Sequence, residues 1–224
     1  MVEAFVLNID QIKNLDLMKH LISPKKQERL DKIKHLPSAK QILAGEILAR
    51  SVIRSKLGIK NSDIMFDYND YGKPRLQNVK DFHFNLSHSG DWAVMAISSA
   101  EVGIDIEQVI SLDLTIAEHI FSPYEKQQLS SKPATLQLDY FFQLWTLKES
   151  YIKMIGYGLS AALDSFSIQI REGNEFPRLL KIPPEKVYFR QYRLQDNYII
   201  AVCSRNNTFS SMLTEINQDF VHNT

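Results

Sequence analysis

Asp91-Trp92-Ala93-Val94-Met95-Ala96-Ile97-Ser98 and Asn197-Tyr198-Ile199-Ile200-Ala201-Val202-Cys203-Ser204 are two versions of one stretch, 106 residues apart. Each opens on a polar residue, continues with an aromatic and runs through five apolar residues to a serine. Both read as buried strands. Outward from them, Arg50-Ser51-Val52-Ile53-Arg54 matches Glu149-Ser150-Tyr151-Ile152-Lys153 at an offset of 99. Ile22-Ser23-Pro24 with Leu30 matches Phe121-Ser122-Pro123 with Leu129 at the same offset. Three weak matches in one order and at nearly constant spacing point to two copies of a unit of about 100 residues.

The copies share a coarse plan. A helix starts at each Ser-Pro, with serine as N-cap and proline at the first helical position. Glu125 completes a capping box with Ser122. A longer helix follows, over about 38–57 and about 136–155, with Ile42, Ala49, Val52 and Ile53 at helical spacing in the first. Gly58 and Gly156 fit its C-terminal stop. Strands are expected at 63–68, 82–86 and 92–98, then at 102–107, 165–170, 188–193 and 198–204. Helices and strands do not alternate as βαβ units. The pattern predicts an α+β fold, a pseudo-twofold repeat of two halves, each an antiparallel sheet packed with helices. The halves are 1–101 and 102–224, with no flexible linker between them and a ligand cleft where they meet. The last fifteen or so residues are polar and are expected to fray.

Composition narrows the functional classes. Among 224 residues, Lys plus Arg and Asp plus Glu are 26 each, so no long-range basic field favours nucleic acid. Hydrophobic content of 44% and charge of 23% fit a folded globular chain. One cysteine, Cys203, excludes an internal disulfide framework and a cysteine-rich zinc site, and its apolar run makes it a small buried hydrophobe. No apolar stretch is long enough to span a membrane. Glu3, Asp10 and Lys13 stand where a signal peptide needs apolar residues, so the expected location is the cytoplasm.

The chemistry lies between residues 71 and 160. In Gly103-Ile104-Asp105-Ile106-Glu107 a strand would place both carboxylates on one face, about 6.6 Å apart. Such a pair is either the solvated face of a half-buried strand or an oxygen site for Mg²⁺. Trp145, Glu149 and Lys153 share a helix stripe. They are either a solvated Glu–Lys pair or a third carboxylate beside a lysine, as metal-assisted phosphoryl transfer needs. Asn85-Leu86-Ser87-His88-Ser89-Gly90 reads as a hairpin turn or as a phosphate grip through Ser87, His88 and backbone N–H groups. Tyr71-Gly72-Lys73-Pro74 reads equally well as an ordinary turn. P-loop, GxGxxG and GxSxG motifs are absent.

In order, Y-G-K-P, N-x-S-H-S-G, G-I-D-I-E, F-S-x-x-E and L-W-x-x-K-E-S-x-x-K followed by G-x-G-L-S resemble the 4'-phosphopantetheinyl transferases, in their surfactin-synthetase-activating (Sfp-type) branch. The resemblance runs from Ser23-Pro24 to Ala201-Val202 and implies a pseudo-dimer of two α+β halves. It implies transfer of the phosphopantetheine arm of coenzyme A to a serine of an apo acyl or peptidyl carrier protein, with release of adenosine 3',5'-bisphosphate. Asp105, Glu107 and Glu149 would hold Mg²⁺, or Mn²⁺, against the pyrophosphate. Glu149 would take the serine proton and Lys153 would stabilise the departing phosphate. His88 and Ser87 would bind coenzyme A phosphates, and Tyr71, Gly72, Lys73 and Pro74 would line the adenine end. Lys26 and Arg29 would take the 3'-phosphate, with Lys148 adding to the grip. Gln41 and Ile42 stand where the family often has an arginine and a hydroxyl residue, which bears on affinity for coenzyme A. A monomer is expected, with no nucleic acid or membrane partner. Two other readings use the same residues: a non-catalytic coenzyme A or nucleotide-binding module, and a metal-dependent phosphodiesterase with water as acceptor.

Overall fold

The repeated stretches become β5 (Trp92–Ser98) and β10 (Tyr198–Ser204), each buried at every position. The structure is a computed structural model that describes residues 1–12, 18–158, 162–171, 176–180 and 186–217, with Lys25 described by its backbone only. β5 is the middle of β1 (Val2–Asn8), β5 and β4 (His83–Ser89), paired antiparallel throughout. β10 is the middle of β6 (Val102–Gln108), β10 and β9 (Tyr188–Leu194), again antiparallel. The order β1-β5-β4 is thus repeated as β6-β10-β9. The fold is α+β.

Each first strand leads to a short helix, a long helix and a two-stranded hairpin. In the first copy these are α1 (Pro24–Asp31), α2 (Leu36–Leu57) and β2–β3 (Phe66–Tyr68 and Pro74–Leu76). In the second, after α3 (Ala117–Ile120), they are α4 (Pro123–Ser130), α5 (Ala134–Ile155) and β7–β8 (Ser167–Gln169 and Arg178–Leu180). The capping box at Ser122 and Glu125 is formed in both directions. Ser23 differs from the expectation. Its side chain makes no capping bond, and its N–H is donated to Glu46 instead. Both long helices end at a glycine in the left-handed region, Gly58 (φ 66°) and Gly156 (φ 76°).

Strand alternation divides the core. Val94 and Ala96 of β5, Ile104 and Ile106 of β6 and Ile200 and Val202 of β10 form one apolar layer between the two sheets. The opposite face of β1–β5 packs on α2, and that of β10 packs on α5.

One expectation is corrected. The polar C-terminal stretch does not fray as a whole. β11 (Phe209–Glu215) pairs in parallel with β1 and covers its otherwise open edge. Residues 218–224 lie outside the described residues. β11 also carries the chain from the second half back to the sheet of the first, across the expected boundary near residue 102. No helix among the described residues is long and apolar enough to cross a membrane.

Gly103 marks the closest approach of α5 to β6. A Cβ there would overlap the Ser150 carbonyl oxygen and the Met154 nitrogen, backbone atoms that cannot swing aside. Gly103→Ala should therefore lower unfolding stability by about 3 kcal/mol, the upper range for overpacking. Urea titration by circular dichroism checks this. A midpoint within error of wild type would mean that α5 is free to shift.

Candidate active site

The seam between the sheets builds the site. β4 and β6 lie against each other in parallel, yet no backbone ladder joins them among the described residues. Asn85, Ser87 and Ser89 occupy alternate positions of β4, so they share one face and span the gap. Asn85 Oδ1 accepts the Ile104 N–H at 2.9 Å. Ser87 Oγ donates to Asp105 Oδ1 at 2.9 Å. Ser89 Oγ donates to Glu107 Oε2 at 2.9 Å and accepts the Gln108 N–H at 3.1 Å. Short polar side chains thus replace the missing backbone partners, and the same bonds aim two carboxylates at α5.

From α5, the stripe of Trp145, Glu149 and Lys153 meets these acids. Trp145 Nε1 donates to Glu107 Oε1 at 3.2 Å. Lys153 Nζ lies 2.6 Å from Asp105 Oδ1 and 2.8 Å from Ser87 Oγ. Asp105 is 3% exposed and Glu149 9%. The solvated readings of both motifs are therefore excluded.

The cluster carries more negative charge than it balances. Burial first, then Asp105 and Glu107, raise the Glu149 pKa to about 7 against the counter-pull of Lys153. Glu107 is also raised, by burial and then Asp105, although Ser89, Trp145 and Lys153 oppose this. Asp105 Oδ2 and Glu149 Oε1 are buried with no hydrogen-bond partner. Oxygen donors of this kind, two of them unsatisfied, fit a hard dication. Among the described residues no three acid, histidine or cysteine side chains form a ready-made set of ion ligands. Lys153 bonds one oxygen of Asp105, and Ser89 with Trp145 bonds both oxygens of Glu107.

The acids sit in the wall of a cleft of about 530 Å³ lined from α1, α2, β4, β6 and α5. Lys26 and Arg29 of α1 line it, as do Ser87 and His88 of β4. His88 has its pKa lowered by desolvation first and then by Lys153, with Lys26 adding to it. Tyr71, Gly72 and Pro74 form part of the rim. Gln41 and Ile42 also face the cleft, and Gln41 Nε2 donates to the Gly90 carbonyl at 3.1 Å.

One expected ligand is not free to act as such. Lys148 is fully buried away from the cleft, and its ammonium pairs with the equally buried Glu125 at 2.7 Å. It also donates to the Phe166 carbonyl at 2.7 Å. One residue along a helix is about 100° around it, so Lys148 faces α4 and β7 while Glu149 faces the seam. Lys73 lines the cleft, but its ammonium bonds the Val102 and Met154 carbonyls. Gly158 reaches the cleft, whereas Leu159 and Ser160 of the G-x-G-L-S motif lie outside the described residues. Sequence reasoning missed Asn85, Ser89 and Glu46. The i, i+2, i+4 spacing of Asn85, Ser87 and Ser89 was the available signal for the seam.

Known proteins resemble this chain over most of its length. Residues 101–203 match the family model described as the 4'-phosphopantetheinyl transferase superfamily, and residues 11–100 match the model of the N-terminal part of a 4'-phosphopantetheinyl transferase. The 4'-phosphopantetheinyl transferase Sfp of Bacillus subtilis (strain 168) is 38% identical over 198 residues, 88% of each chain. The 4'-phosphopantetheinyl transferase psf-1 of Bacillus pumilus is 39% identical over 195 residues, covering 86% of this chain and 83% of its own. A crystal structure of a holo-(acyl-carrier-protein) synthase from Bacillus anthracis in complex with CoA aligns at TM-score 0.40 and 15% identity, over 49% of this chain and 97% of that one. With that similarity over nearly its whole length, the chain belongs to the 4'-phosphopantetheinyl transferase superfamily and is an enzyme of its surfactin-synthetase-activating, Sfp-type branch.

Proposed function

We propose that this enzyme moves the 4'-phosphopantetheine arm of coenzyme A onto a serine of an apo acyl or peptidyl carrier protein, with the donor seated between halves 1–101 and 102–224. The observation that carries the proposal is one cleft lined by Lys26, Arg29 and His88 together with Asp105, Glu107, Glu149 and Lys153. Basic groups bind the anionic phosphates of the donor. Lys26 and Arg29 take the 3'-phosphate, while His88 and Ser87 take further phosphate oxygens. Tyr71, Gly72 and Pro74 line the nucleotide end.

The serine oxygen attacks the phosphorus that carries the pantetheine arm. Its bond to the bridging oxygen breaks, and adenosine 3',5'-bisphosphate leaves with the bonding electron pair. Glu149 accepts the serine proton as general base. Lys153 neutralises charge growing on the bridging oxygen. Asp105, Glu107 and Glu149 would hold Mg²⁺, or Mn²⁺, which would supply charge neutralisation at the pyrophosphate. A single chain is the proposed working unit. The buried Cys203 thiol suits the reducing cytoplasm.

Incubation with Mg²⁺, coenzyme A and a panel of apo carriers should raise the intact mass of an accepted carrier by about 340 Da, the mass of the transferred arm. Steady release of adenosine bisphosphate without a carrier would favour a phosphodiesterase instead. Asp105→Ala should lose at least about a hundredfold in turnover with its melting temperature nearly kept, as for removal of an electrostatic catalytic group. Retained turnover at ordinary Mg²⁺ would refute the metal assignment.

Glu149 also predicts a pH effect on stability. Its folded pKa of about 7 exceeds the ordinary 4.5, so between these values the folded state holds the proton more tightly. Stability is therefore lost as pH rises through this window. In metal-free buffer, Glu149→Gln should melt a few degrees above wild type at pH 8 and level with it at pH 4. Equal melting temperatures at pH 8 would mean that the carboxylate is well solvated.

A further inference from the structure

Lys73 stands in the wall of the cleft, but its ammonium turns away into the protein. Nζ donates to the Met154 carbonyl at 2.8 Å and to the Val102 carbonyl at 3.0 Å. Met154 lies in the last turn of α5, where carbonyls have no helical partner and the helix dipole favours a cation. Asn69 makes a second tie between the same elements. Its Nδ2 donates to the Gly156 carbonyl at 2.9 Å. Its Oδ1 accepts the Tyr71 and Lys73 N–H groups at 3.0 and 2.8 Å. The turn 69–73 is thus shaped around Asn69 and docked on the end of α5 and the start of β6.

The two partners differ in firmness. α5 is packed into the core against β6 and β10. The hairpin β2–β3 has two three-residue strands, paired only with each other, and is anchored mainly through Phe66 and Leu76. When the ties are cut, the hairpin is the part that moves.

We propose that Lys73 is a positioning residue, a strut whose ammonium fixes the hairpin rim of the cleft against the end of α5 and so sets the cleft's width beside Lys153. The strut rests on the reading of this cleft as the coenzyme A site. It gives the Lys73 amine no contact with the donor. Desolvation draws the amine's pKa down to about 8, opposed by Glu101 and Cys203, in keeping with an ammonium enclosed by protein.

The test compares the full-length enzyme with Lys73→Met, Asn69→Ala and the double variant, by steady-state kinetics and amide hydrogen exchange. Lys73→Met should raise KM for coenzyme A about tenfold, the effect of losing a charged hydrogen bond. Its kcat at saturating coenzyme A should stay within about threefold of wild type. Asn69→Ala, which removes no charge, should raise KM in the same direction, and the double variant should fall short of the product of the two. Exchange should quicken across residues 69–76 and stay unchanged within the body of α5. A raised KM in Lys73→Met with none in Asn69→Ala would overturn the strut, because the ammonium would then meet the donor itself. Lower melting temperatures with unchanged KM in both single variants would overturn it too, leaving Lys73 a role in stability alone. A wild-type chain whose melting temperature does not respond to coenzyme A would sink the donor-site reading, and the strut with it.

Discussion

The structure depends on how two edge strands meet without a ladder. β4 and β6 would leave backbone groups unpaired at the joint, at a cost of about 1–3 kcal/mol for each buried group left unsatisfied. Asn85 and Ser89 remove part of that cost by accepting the Ile104 and Gln108 N–H groups. Ser87 and Ser89 then use their own protons on Asp105 and Glu107. One row of small polar residues therefore closes the fold and orients the acids. This is why the cleft lies where the two copies of the repeat join.

Charge follows from that geometry. Three carboxylates around one lysine in a half-enclosed cleft leave an excess of negative charge, and the protein accommodates it by raising Glu149 and Glu107. Such a site is unfavourable for folding, and the proposed cation would relieve its excess charge. The buried Lys148–Glu125 pair is the opposite case. Its bonds are satisfied inside α4, α5 and β7, with Glu125 Oε1 also accepting the Ile168 N–H at 2.8 Å. Neighbours in sequence, Lys148 and Glu149 are turned by the helix toward different surroundings, one to α4 and β7, the other to the seam.

Much of this was legible in the residues. The Ser-Pro starts, the glycine stops, the repeated strand and the alternation in Gly103–Glu107 report local preferences, and each is found in place. The stripe of Trp145, Glu149 and Lys153 was legible for the same reason. What escaped depends on partners far along the chain. β11 pairs with β1 across some 200 residues, and its polar residues carry no alternating pattern. Lys148 and Lys73 look like surface cations until their partners are known, and those partners are a glutamate 23 residues away and the carbonyls of two other elements. The Trp145–Glu107 bond joins a helix to a strand 38 residues earlier. Non-local contacts of this kind have no periodicity to announce them.

The most direct test of the account is a crystal structure of the enzyme grown with coenzyme A and Mg²⁺. The seam geometry predicts the pyrophosphate between Asp105, Glu149 and Lys153, with the 3'-phosphate on Lys26 and Arg29. A donor bound elsewhere, or acids turned away from it toward bulk water, would contradict the account.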